Sequence, residues 1–216
     1  MTPSSVLIYP NVTWYEENST VGAYVILGEP PRHHTPGELA LMIGEQATLR
    51  SFTIIYAGNT IGARLQTGHH VTLRENNQIG DDVSIGTSSV LEYGNRIGHR
   101  TRIHSGCFLE LVTLGNDVFV GPNVVFTDDP HPVCPRYQDC KGGPVVGDLS
   151  RIGANSTLLP GVKVGKNCLI GAGSVVTENI PDDSVAVGNP ARVVKSIHEL
   201  TCEPGFFERP YDWLKE

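Results

Sequence analysis

No stretch of the 216 residues approaches the roughly 18 consecutive apolar positions that a membrane-spanning helix needs, and the start of the chain lacks a charged segment followed by an apolar one. A soluble, cytoplasmic protein is expected. Basic residues are also scarce: 16 Lys and Arg face 23 Asp and Glu, the formal charge is −7, and no basic run exceeds two residues. Neutralising a phosphate backbone requires clustered Lys and Arg, so a nucleic-acid-binding surface is excluded, while a local basic spot for a small anionic substrate is not. Cysteines number five (Cys107, Cys134, Cys140, Cys168 and Cys202), odd and scattered, which fits reduced thiols and not a disulfide framework. Gly (24) and Pro (15) are in excess, together about 18% of the chain against roughly 12% in average proteins, so turns are frequent and long helices are not expected.

The turns are periodic. From Ile43, every sixth residue reads Ile43, Leu49, Ile55, Ile61, Thr67, Leu73, Ile79, Ile85, Leu91, Ile97, Ile103, Leu109, all Ile or Leu but one. Neither the helical period of 3.6 nor the strand period of 2 yields this spacing. Ile-Gly pairs at 43/44, 61/62, 79/80 and 97/98 add an 18-residue period, so three rungs make one turn of a solenoid. One residue drops out after Leu109, and the series continues through Leu114, Val120 and Phe126. It resumes after a break as Val146, Ile152, Leu158, Val164, Ile170 and Val176. Four positions after most anchors the side chain is small, as at Ala47, Ser89, Cys107, Ser150, Cys168 and Ser174, and an even offset lets both point inward from a short strand. Three strands per turn close into a triangular prism, a parallel β-helix of about seven to eight coils spaced about 4.8 Å apart. Asn59, Asn77 and Asn95 lie 18 apart and must stack inside it as an asparagine ladder, each amide donating to the next.

These repeats, closing with GANSTLLPGVKVGKNCLIGAGSVVTENIPDDSVAVGNPARVVKSI, resemble the hexapeptide-repeat acyltransferases over residues 43–197. The resemblance implies an all-β, left-handed parallel β-helix and a homotrimer whose acetyl-CoA sites lie between neighbouring prisms. Among family members the chain looks most like the acetyltransferases of nucleotide-linked amino sugars that serve surface-glycan synthesis. Acetylation of an amine is expected ahead of a hydroxyl. The domain reading is a segment 1–42 with room for a first coil and a projecting loop, the β-helix 43–197 with a loop ejected over 127–145, and a helical or irregular cap 198–216. The cap's aromatics, Phe206, Phe207, Tyr211 and Trp213, are expected to pack on the prism end or on a neighbouring subunit.

By the same resemblance, Ala154, Ala172 and Thr177 match positions where turns of the last coils hold the CoA arm, and Arg192 and Lys195 match the residues that meet its phosphates. The family's Val-Thr-Lys is Val-Thr-Glu here, so Glu178 stands where a Lys often assists. In the ejected loop, His131 matches the histidine of a His-Pro motif that acts as general base, a role suited to a group titrating near neutrality. Asn123 sits where relatives orient substrate or base, and Asp128 or Asp129 could fix the imidazole tautomer.

No metal is expected. Cys134 and Cys140 with His131 offer only three donors at a spacing unlike zinc sites. A zinc carbonic anhydrase of the same fold is the alternative enzyme, but His69, His70, His99 and His104 do not repeat in phase as its ligands would. A silent β-helix scaffold would need neither the His131 loop nor the Asn-Pro-Ala-Arg segment.

Overall fold

Each hexad of the chain resolves into a two-residue strand and a four-residue turn. The computed structural model describes residues 5–136, 139–140 and 142–211. In each pair such as Ser84–Ile85, Val90–Leu91 or Arg96–Ile97 the second residue is buried and the first faces out. Pairing is parallel and displaced by one 18-residue turn, as in Gln78↔Arg96 and Ile79↔Ile97. The anchors Ile43 to Val176 and the small residues between them form one continuous buried column. Thr67 fits among them because its hydroxyl bonds that of Thr53, also buried, at 3.0 Å.

Three sheets result. The first face runs from Leu7–Ile8 to Val175–Val176 with nine strands. The second runs from Val12–Thr13 to Lys163–Val164 with eight. The third begins at Thr20–Val21 and has ten strands, ending in the hairpin Ser184–Gly188 and Ala191–Ser196. The solenoid thus has nine to ten coils, more than the seven to eight expected, because coils also form from Leu7–Ile8, Val12–Thr13, Thr20–Val21 and Ile26–Glu29. All three corners place residues such as Asn76, Asp82 and Asn155 at positive φ, where Asn and Asp are tolerated. The glycine after an anchor has a separate cause: a Cβ on Gly86 would lie 2.3 Å from the Ser105 backbone nitrogen of the next coil.

The asparagine ladder is present but bonded differently from the expectation. Asn59, Asn77 and Asn95 are at most 1% exposed. The Asn59 Oδ1 accepts from the Asn77 backbone N–H at 2.7 Å, the Asn77 Oδ1 from the Asn95 N–H at 2.9 Å, and the Asn95 Oδ1 from the Val112 N–H at 2.9 Å. Only Asn95 Nδ2, 2.8 Å from Asn77 Oδ1, joins one amide to another. The remaining amide hydrogens are donated to corner carbonyls, including that of Arg74. The ladder therefore satisfies backbone groups where the chain bends too sharply for sheet pairing.

Past the last coil the chain forms a hairpin and not a further rung: Ala191–Ser196 runs back antiparallel to Ser184–Gly188. The hairpin closes the open edge of the third face, the protection that an unpaired parallel edge requires. A single 3-10 turn, Ile197–Glu199, is capped by Ser196 and Glu199. Of the cap aromatics, Phe206 is 82% exposed, Tyr211 lies over Arg151, and Trp213 lies outside the described residues. No helix among the described residues is long and apolar enough to cross a membrane.

Candidate functional site

The candidate residues divide between two edges of the first face. At the edge joining the third face to the first, Pro122–Asn123, Ala154–Asn155 and Ala172–Gly173 stack on successive coils. Asn155 N–H donates to the Pro122 carbonyl at 2.9 Å and Gly173 N–H to the Ala154 carbonyl at 2.8 Å. Gly121 and Gly153 bring these turns together, since a Cβ on either would lie within 2.7 Å of the nitrogen of Ala154 or Ala172. The stack ends in short side chains, and around Gly173 nothing lies within 4 Å of where a Cβ would project. Exposed backbone beside open space is what a slender chain such as a pantetheine arm can approach. Asn123 itself occupies a positive-φ turn position (φ 58).

The opposite edge, joining the first face to the second, carries the ejected loop. It leaves after Phe126 and rejoins at Val145, whose strand pairs with Thr113–Leu114 as though the chain had not been interrupted. His131 stands exposed in this loop. Its backbone N–H donates to Asp129 Oδ1 at 2.7 Å, so Asp129 shapes the loop beside the imidazole. Thr177, after Val176, lies on this same edge.

Arg192 and Lys195 are exposed on the closing hairpin. Arg192 is engaged by Glu178 at 3.4 Å and donates to the Ala191 carbonyl at 2.8 Å. The acidic residue noted in the sequence thus lies against this cation.

One group was not singled out from sequence. Glu110, with Asp128, Asp129, Val133 and Cys134, lines a pocket of about 310 Å³ under the loop. Burial first, then Asp128 and Glu92, raises its pKa to about 7. Nothing in the hexad marks Glu110, because its surroundings arise only when the loop folds back. Among the described residues no group of three or more His, Cys, Asp or Glu side chains could hold a metal ion.

The coiling, the stacked turns and the ejected loop define a class, the left-handed β-helix of hexapeptide repeats, and the comparisons agree: the chain is similar to acetyltransferases of that type. Residues 143–178 match the family described as bacterial transferase hexapeptide (six repeats). The galactoside O-acetyltransferase of Lactococcus lactis is 36% identical over 132 residues, 56% of this chain and 64% of that protein. The bifunctional protein GlmU of Koribacter versatilis is 31% identical over 153 residues, 71% of this chain and 31% of that protein. The chain therefore spans less than two thirds of the length of these curated relatives. The polySia-specific acetyltransferase NeuO shares the fold at 20% identity and a TM-score of 0.52, over 90% of this chain and 82% of that one.

Proposed function

We propose that the protein is an acetyl-CoA-dependent acetyltransferase that acts as a homotrimer on the amine of a nucleotide-activated amino sugar in surface-glycan biosynthesis. The placement of the candidate residues on two opposite edges of one face carries this reading. Within a single chain His131 and Asn123 stand at opposite ends of the strand Val125–Phe126, which favours a site completed by a second chain. The face between them is apolar on its outer side: Ile26, Ile54, Val90, Phe108, Val125 and Val175 are successive, half-buried ladder positions interrupted only by Thr72 and Thr157. The second face presents mostly polar side chains instead, Thr60, Gln78, Arg96, Thr113 and Lys163, with Met42 and Val145 as apolar members of the same ladder. An apolar sheet face of this length calls for a partner, and threefold packing places the loop edge of one copy against the stacked-turn edge of the next.

In the site so formed, Asn123, Ala154 and Ala172 of one subunit and the His131 loop of its neighbour flank one groove. The turns receive the pantetheine arm, Thr177 lies along it, and Arg192 with Lys195 meets the phosphates. His131 takes the proton from the acceptor as its nitrogen bonds the thioester carbonyl, and the CoA sulfur leaves. The likeness to a galactoside O-acetyltransferase supports a sugar acceptor. A cytoplasmic setting suits the five free thiols.

The test is release of CoA thiol from acetyl-CoA across a panel of nucleotide-linked amino sugars and simple galactosides. Turnover with the amino sugars in preference is expected. Turnover confined to hydroxyl acceptors would replace the amine assignment, and no thiol release with any acceptor would overturn the reading.

A further inference from the structure

Away from the two edges just described, the third face holds a pocket of about 570 Å³ bounded by Arg102, Phe119, Arg151, Leu169 and Tyr211. Four of these are consecutive outward rungs, paired Arg102↔Phe119, Phe119↔Arg151 and Arg151↔Leu169. The two arginines consequently flank the phenylalanine, two rungs or about 10 Å apart.

Arg151 is only 8% exposed. It meets one neutral acceptor, Asn167 Oδ1 at 2.8 Å, and the face of the Tyr211 ring, with the guanidinium carbon 3.8 Å from the centroid. Among the described residues no carboxylate forms an ion pair with Arg151 or Arg102, whereas Arg100 at the rim is held by both oxygens of Asp117. Burial lowers the Arg151 pKa, the direction expected of a cation lacking a counter-charge. Buried charges are normally paired, so this pocket is short of an anion.

The planar fork of a guanidinium fits phosphate oxygens, and an aromatic floor between two such forks accepts a flat ring. We propose that this pocket binds a nucleoside phosphate, the phosphate held by Arg151 and Arg102 and the base lying against Phe119. The strands that build it run straight into the stacked turns: Arg151–Ile152 leads to Gly153 and Ala154, and Phe119–Val120 to Gly121, Pro122 and Asn123. The same chemistry is carried by the nucleotide of an activated sugar and by the adenosine bisphosphate portion of CoA. The inference does not depend on acetyl transfer, because binding can be read without turnover.

The experiment is calorimetric titration of the 216-residue chain with UDP, with adenosine 3′,5′-bisphosphate and with inorganic phosphate. Wild type should bind a nucleotide, and Arg102→Gln, an exposed change that threatens no fold, should weaken it about tenfold, the usual worth of a charged hydrogen bond. Phe119→Leu should weaken the nucleotide and leave inorganic phosphate unchanged. Tighter binding of UDP assigns the pocket to the acceptor, and tighter binding of the bisphosphate to the acetyl donor. Failure of both nucleotides to bind at millimolar concentration, or equal affinity in wild type and Arg102→Gln, would overturn the proposal.

Discussion

Replacing Asn77 by Ala probes the ladder at its centre. The Asn77 side chain accepts from the Asn95 backbone N–H and from Asn95 Nδ2, and donates to the Arg74 carbonyl. Arg74 keeps a second donor, Asn59 Nδ2 at 2.7 Å, and Asn95 Nδ2 keeps the Glu92 carbonyl at 2.7 Å. The Asn95 N–H keeps nothing. One stranded buried donor costs about 1 to 3 kcal/mol, and the small cavity adds to it. Each asparagine serves a different N–H, those of Asn77, Asn95 and Val112. The costs of Asn59→Ala, Asn77→Ala and Asn95→Ala should therefore nearly add, apart from one coupled pair, Asn77 and Asn95. A column bonded amide to amide behaves otherwise, since its triple replacement costs less than the sum. Urea unfolding at one fixed protein concentration measures the sums, and hydrogen exchange locates the damage, with the Asn95 amide accelerated in Asn77→Ala and the Val112 amide in Asn95→Ala. A triple variant no less stable than the worst single variant, or an Asn95 amide that stays protected, would refute the reasoning.

Other outcomes follow from the site. His131→Ala should lower acetylation about 100- to 10,000-fold with donor affinity intact, and remove the acid limb of the pH profile; a change confined to acceptor KM would make the imidazole a positioning group. Arg192→Ala with Lys195→Ala should weaken CoA binding about tenfold or more, whereas Glu178→Lys, by releasing Arg192 and adding a cation, should tighten it; calorimetry decides both. Glu110, with its folded pKa raised from 4.5 to about 7, favours the folded state fully below pH 4.5 and loses that contribution as pH rises through 7. Because Glu110 is partly exposed, Glu110→Gln should gain only about 1 kcal/mol on wild type between pH 5 and pH 8; a gain of the same size at both pH values would remove the carboxyl's charge as the cause.

Much of the fold was legible because an inward side chain recurs every six residues and leaves no other periodic explanation. The first coils escaped because the chain leaves between Leu27 and Leu41 for a loop, breaking the spacing, and because Ile8 and Thr13 at the solenoid's end are exposed and need not be large and apolar. The ladder was legible as a spacing but not as a bonding pattern, since an 18-residue period says which side chains stack and not which atoms meet. Arg151 was invisible among outward residues: Arg96, Arg102 and Arg151 occupy equivalent positions in their rungs, and only the return of the tail to Tyr211 buries one of them. The closing hairpin was missed because Ala-Arg-Val-Val-Lys-Ser carries no alternation of buried and exposed residues, every residue from Arg192 to Lys195 being exposed.

The central claim, a site shared by neighbouring copies, is tested most directly by mixing two variants that are each inactive alone, His131→Ala and Ala154→Trp, the second filling the stacked-turn edge. After unfolding and refolding together in equal amounts, random threefold assembly pairs an intact loop with an intact turn stack at about a quarter of the sites. Acetyl-CoA turnover should return to about that fraction of the wild-type rate. A mixture that assembles into mixed trimers by native mass spectrometry yet stays as inactive as its components would contradict the shared site.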